Sequence, residues 1–315
     1  MAELEWEKVP CDWCGSTDDE FIFDGSDRLL HLPGQFRMVR CRKCGLIRQN
    51  PRLVWNSLKD YYPDDFISYV PLIREERSRF RRLDRRYGIW KQVHAVERYQ
   101  NGGRLLDVGS GTGIFLEELL RSDKWQVIGI EPTERAAEYA RTALHVEILE
   151  GRFSEVTLPD NSFDVITMWH VLEHLDHPIA DLRHAHKLLK ENGLLTIEIP
   201  NVDGLEAKLF GQYWIGWELP RHLFQFPQST LRTILTSLGF EWIATRRISM
   251  THALLGNSIE FWMQSWNPRY HKIARWLLQL YRSFPARIVL GLPLWIYNRF
   301  NLSTVITIFA RKISL

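Results

Sequence analysis

The chain is poor in cysteine, and it lacks both long apolar runs and a leader-like start. Only four cysteines occur among 315 residues, and their spacing is not that of a disulfide framework. No stretch reaches the roughly 18 uncharged apolar residues that a membrane-spanning helix requires. The first residues, MAELEWEKVP, are polar and acidic, unlike a secretory signal. We therefore expect a globular protein of the reducing cytoplasm.

Acidic residues are absent from the stretch Phe261–Leu315, which contains eight Lys or Arg. This basic stretch carries +8 while the whole chain carries +2, which leaves −6 on residues 1–260. The acidic balance of residues 1–260 disfavours a nucleic-acid partner, because a phosphate backbone would be repelled.

Within the basic stretch, residues 270–300 alternate apolar and basic side chains at helical spacing. The apolar side comprises Ile273, Trp276, Leu277, Leu280, Tyr281 and Phe284, and the uncharged run IVLGLPLWIY follows at residues 288–297. Two interpretations stay open. The segment lies on an anionic membrane surface, at the inner face of the membrane, or it packs as a helical hairpin on the sheet or in a dimer.

The four cysteines form two C-x-x-C pairs, Cys11 with Cys14 and Cys41 with Cys44, each followed by a glycine. Each pair directs two thiolates at one point, and two pairs complete a tetrahedral four-sulfur site that suits Zn²⁺. Because all four coordination positions are then used, the zinc is predicted to be structural. The segment FDGSDRLLHLPGQF is expected to form a hairpin loop between the pairs.

From residue 104 onward, short apolar segments alternate with amphipathic ones. Strands are predicted at 104–108, 126–131, 146–150, 163–169, 194–200, 240–248 and 304–311. Helices are predicted between them, for instance at 133–144 and 180–190. This alternation predicts an α/β fold with a parallel sheet covered on both faces. Ligands of such sheets bind at the carboxyl ends of the strands, so functional residues are expected there.

The segment LLDVGSGTGIFLEELL follows the first of these strands and opens a helix. Alternate glycines across Gly109–Gly113 let the backbone approach a ligand closely. A dinucleotide-binding loop reads G-x-G-x-x-G, but the sixth position here is Ile114, which disfavours a nicotinamide oxidoreductase. Asp107 before the turn favours a cationic ligand over a pyrophosphate. The next strand ends in Glu131, whose carboxylate can accept hydrogen bonds from two ribose hydroxyls.

The segments LLDVGSGTG, VIGIEP, SFDVITMWHVLEHLDHP and GLLTIEIPN resemble class I S-adenosylmethionine-dependent methyltransferases. The resemblance covers about residues 100–250 and the last strand. It implies a Rossmann-like seven-stranded methyltransferase sheet with helices on both faces, preceded by the small zinc ribbon, and S-adenosylmethionine as the cofactor. The ribbon with CGLIRQNP and the later ELPRHLFQF are similar to a bacterial subset often associated with modification of sugars, glycans and small metabolites.

The resemblance also implies roles around the cofactor. Asp107 lies near the ammonium and sulfonium groups, Glu131 binds the ribose hydroxyls, and Phe153 covers the adenine. The glycine loop passes beside the methionine and ribose portions. Trp169 and His170, at the end of the fourth strand, lie beside the cofactor's far side. These further cofactor-binding candidates are Gly109, Ser110, Gly111, Gly113, Trp169 and His170.

The segment HVLEH, residues 170–174, also matches the H-x-x-E-H pattern of some zinc proteases. Its context argues against that function, because it directly follows a central strand and Asp176–Pro178 interrupts any long helix. The resemblance instead assigns this loop to the mouth of the cofactor and acceptor site.

A hydroxyl or carbon acceptor of a methyl group benefits from alignment and from a general base. His174, after the fourth strand, and His222, in WELPRHLFQF, are the catalytic candidates, with Glu173 orienting one of them. The alternative is that these are polar groups that hold loops together. Tyr61 and Tyr62 are interpreted as aromatic packing or as part of a lid over the cofactor.

The predicted domains are a zinc ribbon at 1–55, a helical linker or lid at 56–100, a cofactor-binding methyltransferase domain at 101–255 and 301–315, and a basic amphipathic helical insertion at 256–300. The predicted function is methyl transfer from S-adenosylmethionine to a small-molecule or lipid-linked acceptor such as a sugar or glycan intermediate. Its rivals are an inactive docking module with the cofactor fold and a nucleic-acid methyltransferase that uses the ribbon and the arginine-rich residues 74–86.

Overall fold

The computed structural model describes residues 4–63, 71–247, 251–266, 269, 271–283, 286, 289 and 303–314. The uncharged run predicted at 288–297 lies outside the described residues, except for Val289, and so does Phe284 of the predicted apolar side. Across these described ranges, no helix is long and apolar enough to cross a membrane.

The regular elements follow the chain in this order. The strands are β1 (Trp6–Glu7), β2 (Asp19–Gly25), β3 (Phe36–Cys41), β4 (Ile47–Gln49), β5 (Arg52–Leu53), β6 (Gly103–Val108), β7 (Trp125–Glu131), β8 (Glu147–Glu150), β9 (Phe163–Trp169), β10 (Leu189–Pro200), β11 (Phe224–Gln225), β12 (Phe240–Arg246) and β13 (Val305–Lys312). The helices are α1 (Trp55–Leu58), α2 (Arg79–Glu97), α3 (Ile114–Leu119), α4 (Glu134–Leu144), α5 (Pro178–Leu188), α6 (Leu205–Phe210), α7 (Gln228–Ser237), α8 (Thr251–Gln264) and α9 (His271–Arg282).

Two compact units share the chain. The ribbon unit comprises Met1–Tyr61, Pro200–Leu231 and Ser249–Ile306, and the sheet unit comprises Tyr62–Ile199, Arg232–Ile248 and Thr307–Leu315. The segment after β10 is therefore grouped with the amino-terminal residues, whereas the predicted ranges had assigned it to the methyltransferase domain. The predicted domain functions stay predictions.

The sheet unit contains a seven-stranded sheet in the order β12-β13-β10-β9-β6-β7-β8. All seven predicted strands are present, which confirms the predicted fold class. The pairs within β10-β9-β6-β7-β8 are parallel, while β12 and β13 are antiparallel. The chain runs outward from β6 through β7 to β8 and then returns to β9 on the other side. The carboxyl ends of β6 and β9 therefore flank the switch point where such sheets bind ligands.

Helices cover this sheet because each turns an apolar side toward it. In α4, Ala136, Ala137 and Ala140 are buried, and their small size lets the helix approach the sheet closely. Leu105 on β6 and Val165 on β9 are fully buried in the same core. Apolar strands paired on both edges thus form the rigid base of the site.

The ribbon unit contains a four-stranded antiparallel sheet in the order β11-β4-β3-β2. Strands β2 and β3 form the predicted hairpin, in which Asp19 faces Cys41 and Gly25 faces Phe36. The fourth strand, β11, comes from the distant segment WELPRHLFQF and pairs with β4. This pairing could not be read from local sequence patterns, because it joins residues more than 170 positions apart.

Along the chain, helices α8 and α9 come between β12 and β13, the last two strands of the large sheet, which is where the sequence predicts the insertion. The basic stretch divides at this point. Arg311 and Lys312 belong to β13, where they donate hydrogen bonds to the Asn192 and Leu189 carbonyl oxygens. These two cations therefore contribute to the sheet unit rather than to the basic insertion.

Candidate active site

The glycine loop connects β6 to α3 through backbone conformations that favour glycine. Gly109, Gly111 and Gly113 have φ values of 70°, 54° and 81°, in the left-handed region. A Cβ on Gly109 would lie 2.6 Å from the Val171 side chain, and one on Gly113 would lie 2.5 Å from Leu144. Gly109 and Gly113 are thus required by both conformation and space, and Gly111 is favoured by its conformation.

Asp107 lies beside Thr167 on the adjacent strand, because β6 and β9 run in parallel register at this pair. The Thr167 hydroxyl donates to Asp107 Oδ1 at 2.6 Å. Burial raises the pKa of Asp107, the bond from Thr167 opposes this, and the nearby Glu131 adds to the rise, so that the pKa is about 7. A cation at this carboxyl group would remove the unfavourable charge burial and favour the ionised form.

Glu131, at the end of β7, is hydrogen-bonded to the glycine loop. Its Oε2 accepts the Gly111 N–H at 2.8 Å, and its Oε1 accepts the Thr133 N–H at 2.9 Å. Burial raises the pKa of Glu131, while these backbone bonds oppose the rise. The Thr133 side chain also hydrogen-bonds to this carboxylate, which retains acceptor capacity beyond these three bonds, so the group can hold the loop and still accept a ribose hydroxyl.

Two buried polar atoms of the predicted cofactor site have no hydrogen-bond partner among the described residues. They are the Ser110 hydroxyl, in the glycine loop, and the Trp169 indole N–H, at the end of β9. Gly129 gives the Ser110 side chain its space, since a Cβ there would lie 2.6 Å from Ser110 Oγ. Buried polar atoms are normally paired, so both are available to a polar ligand. The donor set fits the nucleoside and amino-acid groups of S-adenosylmethionine.

His170 follows β9 with an unusual φ of 55°, which is costly for a residue other than glycine. Its Nδ1 lies 3.1 Å from Glu173 Oε1 and its Nε2 lies 3.5 Å from Glu198 Oε1. Burial lowers the pKa of His170, but the two carboxylates outweigh it and raise the pKa to about 10. The two carboxylates therefore favour the imidazolium form at neutral pH, which is unsuited to act as a general base.

The HVLEH segment contains only one short 3-10 helix, Leu172–His174, before Pro178 starts α5. A zinc protease needs its histidines on a sustained helix, so the protease interpretation is wrong. His174 instead meets Tyr62, whose hydroxyl oxygen lies 3.1 Å from His174 Nδ1. The sheet unit thus holds a tyrosine beside one of the two catalytic candidates.

Phe153 is 2% exposed, and its ring centroid lies 4.8 Å from that of His184 on α5. Its neighbour Arg152 forms an ion pair with Asp176 at 2.6 Å. The predicted contact of Phe153 with adenine stays a prediction.

His222 is buried in the ribbon unit, where its Nδ1 lies 2.8 Å from the Gly216 carbonyl oxygen. A carbonyl only accepts, so Nδ1 carries the hydrogen. Nε2 lies 3.7 Å from Glu218 Oε2. The Gln49 side chain on β4 donates to the carbonyl oxygens of Pro220 and His222, both at 2.8 Å. The ribbon sheet therefore holds the backbone on which this second candidate lies.

A buried ion pair fixes the same segment. Arg221 and Asp27 are both completely buried, and the guanidinium donates two hydrogen bonds of 2.9 Å to the carboxylate. The Asp27 carboxylate also accepts the N–H groups of Leu29 and Leu30. Bidentate geometry with further bonds is what allows such a pair to be buried.

The four cysteine sulfurs lie within 4.8 Å of one another. Cys11 and Cys44 are 3.4 Å apart and Cys14 and Cys41 are 3.5 Å apart. Gly15 and Gly45 donate to the Cys11 and Cys41 carbonyl oxygens, so the two turns match. Tetrahedral zinc with Zn–S bonds of about 2.3 Å separates its sulfurs by about 3.8 Å, so the cluster fits a metal. Thr230 Oγ1 donates to the Cys44 carbonyl at 3.0 Å.

A family model described as "Methyltransferase domain" matches residues 77–245, more than half of the 315 residues. The chain belongs to the S-adenosylmethionine-dependent methyltransferase family. Among solved structures, a SAM dependent methyltransferase from Archaeoglobus fulgidus superposes with a TM-score of 0.50 at 19% identity, over 72% of this chain and 94% of that one. This likeness shows the fold.

Two curated relatives of this methyltransferase-family chain match it over about 100 residues each. The "Probable S-adenosylmethionine-dependent methyltransferase" of Mycobacterium tuberculosis is 32% identical over 98 residues, 31% of this chain and 35% of that protein. The ubiquinone biosynthesis O-methyltransferase of Neisseria meningitidis is 34% identical over 109 residues, 32% of this chain and 45% of that protein. The chain thus spans less than half the length of these two relatives.

Three residues that contact predicted site residues were missed by the sequence analysis: Thr167 and Glu198 in the sheet unit, and Gln49 in the ribbon unit. Each is a polar residue within a strand, where only pairing with another strand reveals its partner. Thr167 and Glu198 are polar residues within mainly apolar segments, FDVITMW and LLTIEIP, and their polarity was the available signal.

Proposed function

We propose that this protein transfers the methyl group of S-adenosylmethionine to a small-molecule acceptor. The cofactor supplies an electrophilic methyl group on a sulfonium sulfur. The observation that carries the proposal is the connection of Glu131 to the glycine loop through Gly111, with Asp107 on the neighbouring strand. This arrangement offers a carboxylate for ribose hydroxyls and a second one for a cationic group, as methyl donor binding requires.

The residues of the chain have separate roles in this proposal. Asp107 and Glu131 hold the cofactor, while Ser110 and Trp169 use their unpaired polar atoms to orient it. His170, as an imidazolium, stays charged and helps keep the end of β9 in its strained conformation. In such a transfer the acceptor would form a bond to the methyl group as the methyl–sulfur bond breaks, and the thioether S-adenosylhomocysteine would leave. His174 and His222 are the candidates to accept the proton that a hydroxyl or carbon acceptor loses.

We further propose that the cysteine cluster holds one structural zinc ion. Its support is the match of the two turns and the sulfur separations. In the ribbon unit, Gln49 and Thr230 connect the ribbon to the segments that carry His222 and α7. The zinc ribbon would thus keep a catalytic candidate in place, rather than act on the substrate.

The acceptor we propose is a sugar or glycan intermediate, including a lipid-linked one, used at the inner surface of a membrane. The basic insertion supports the lipid-linked form, since six of its Lys and Arg occur between residues 269 and 299 with no acid among them. The acceptor panel also includes a ubiquinone precursor, because a relative is named for ubiquinone biosynthesis.

Titration calorimetry with S-adenosylhomocysteine tests cofactor binding. Wild type is compared with Glu131→Ala and with Glu147→Ala, a control that removes an exposed carboxylate from β8. Loss of hydrogen bonds to a charged group should weaken binding at least about tenfold in Glu131→Ala. The control should bind as wild type does.

Absence of binding to wild type would contradict the proposal and favour the docking module with an inactive cofactor fold. If binding is present, transfer of a radiolabelled methyl group to the acceptor panel follows. His174→Ala and His222→Ala then identify the proton acceptor, because loss of the base should lower kcat about 100-fold or more while leaving cofactor affinity unchanged.

A further inference from the structure

Helix α9 exposes the apolar side on which an amphipathic helix normally packs. Ile273, Trp276, Leu277 and Leu280 are exposed by 57, 61, 42 and 54%, and their spacing places them on one side of the helix. Leu278, on the opposite side, is only 7% exposed. These four exposed residues are the α9 stripe.

The ribbon unit holds α9 in this orientation through α8. The two helices pack against each other, and α8 in turn contacts α6. Ser258 on α8 accepts the Ile215 N–H at 3.0 Å, while Phe261 and Met263 are buried. Helix α8 is therefore the inner helix of the pair, and α9 is the outer one.

The charged residues on α9 itself are all basic. Lys272 and Arg275 on α9 are exposed, and Arg269 just before the helix is exposed as well. No Asp or Glu occurs in the sequence from Phe261 onward. An apolar stripe beside cations, with tryptophan on it, matches the interfacial layer of a membrane that contains anionic lipid.

We propose that the α9 stripe docks the protein onto an anionic lipid surface. The stripe residues enter the interfacial layer, Lys272 flanks them at the level of the lipid phosphates, and Arg275, further round the helix, adds to the long-range attraction of the anionic surface. The biological role of this docking rests on the proposed lipid-linked acceptor. The binding to vesicles can be measured without that acceptor. Docking would bring the protein to the surface where such an acceptor is held.

Helix α2 provides a comparison, because it also exposes apolar side chains. Phe80 and Leu83 are exposed by 82 and 66%. Asp84 adjoins them, however, and Arg86 of the same helix forms an ion pair with Glu118. Helix α2 is itself rich in arginine, so its variant tests whether docking belongs to α9 or to this second basic helix with exposed apolar side chains.

The experiment is flotation of the full chain with vesicles at low salt. One set is phosphatidylcholine alone, and the other contains about one-third phosphatidylglycerol. Four proteins are compared: wild type, Trp276→Ser with Leu280→Ser, Lys272→Glu with Arg275→Glu, and Phe80→Ser with Leu83→Ser. Unchanged circular dichroism and unchanged S-adenosylhomocysteine affinity identify the variants that are folded.

Wild type and the α2 variant should float with anionic vesicles and not with neutral ones. The stripe variant should bind at least about tenfold more weakly. The charge-reversal variant should bind at least about 30-fold more weakly, because each cation near such a surface contributes about 1 kcal/mol. Salt should weaken the wild-type interaction.

Three outcomes would overturn the proposal: no flotation of wild type, loss of flotation in the α2 variant alone, or equal binding of the stripe variant and wild type. The alternative partner of the α9 stripe is a second copy of the chain. If light scattering shows a dimer that the stripe variant converts to a monomer, the stripe is a dimer interface and the lipid proposal is wrong. Flotation without S-adenosylhomocysteine binding would contradict only the methyl-transfer proposal.

Discussion

Glu131 Oε2 accepts the backbone N–H of Gly111 at 2.8 Å, so the acid that ends β7 and the loop that follows β6 form one unit. A ligand that contacts the loop therefore meets a backbone already held in position. The bond also relates two motifs that are 20 residues apart in the sequence. Preorganisation of this kind lowers the conformational cost of binding.

Glu131→Gln tests this coupling more finely than truncation does. The amide retains an acceptor oxygen for one backbone N–H but loses the negative charge. We expect faster hydrogen exchange at residues 109–113, and weaker S-adenosylhomocysteine binding by about tenfold or more. Glu147→Gln on β8 should change neither. If exchange at residues 109–113 is as slow in Glu131→Gln as in wild type, the Glu131 carboxylate does not hold the loop.

Asp107→Asn should stabilise the empty protein while it impairs cofactor binding. Folding raises the pKa of Asp107 to about 7, so ionisation costs folding free energy as pH rises from near 4 through 7. The asparagine lacks this cost, and above pH 7 we expect a gain on the order of 2 kcal/mol in the free energy of unfolding. The gain should disappear near pH 4.

Thermal melts of Asp107→Asn and wild type between pH 4 and 8 measure this difference, with Asp123→Asn as an exposed control. Calorimetry at pH 8 should show binding weaker by about 30-fold or more, because the charge opposite the cationic group is gone. In wild type, cofactor affinity should fall as pH drops below about 7. Equal stability of mutant and wild type at pH 8 would contradict the assignment.

His170 should remain protonated across the neutral range. Its folded pKa of about 10 lies above the ordinary value of 6.5, so its contribution to stability is fully present below pH 6.5 and is lost as pH rises through 10. Ring carbon signals from labelled histidine, assigned with His170→Gln, should show no inflection between pH 6 and 9. An inflection near pH 6.5 would mean that Glu173 and Glu198 do not hold the proton.

The buried pair of Asp27 with Arg221 should contribute far more than a similar pair on the surface. Asp27→Asn removes the bidentate partner of the buried Arg221 guanidinium and leaves its longer contact with Glu218, and we expect a loss of about 3 kcal/mol in the free energy of unfolding. Asp24→Asn removes the exposed bidentate pair with Arg37 and should cost less than about 1 kcal/mol. Denaturant unfolding of both variants tests the comparison, and equal costs would contradict it.

Removal of the proposed zinc should loosen the segment around His222. Elemental analysis should find about one zinc ion per chain and none in Cys44→Ser, since four thiolates complete the site. Exchange at residues 219–225 should rise in Cys44→Ser, because β11 pairs with β4 and Gln49 binds the adjacent carbonyls. Ser16→Ala is the control. If Cys44→Ser loses the metal but exchange at residues 219–225 does not become faster, the zinc does not support the segment that carries His222.

Much of the fold could be predicted because its signals are local. Each of the seven strands is a short apolar segment, and α4 and α5 have apolar residues at helical spacing, so their positions followed from neighbouring residues. The cysteine pairs and the glycine loop are also local motifs. Partners such as Thr167 for Asp107 required the order of strands, which the local pattern alone does not specify.

The sequence by itself determined the strands and helices of the sheet, the alternate glycines and the two cysteine pairs, since these depend on backbone preferences and nearest neighbours. The tertiary structure alone decided that β11 joins the ribbon sheet, that Glu173 and Glu198 lie beside the His170 ring, and that the α9 stripe is exposed. Each of these depends on contacts between residues far apart in the chain. Packing of the whole unit selects such contacts, and no local preference encodes them.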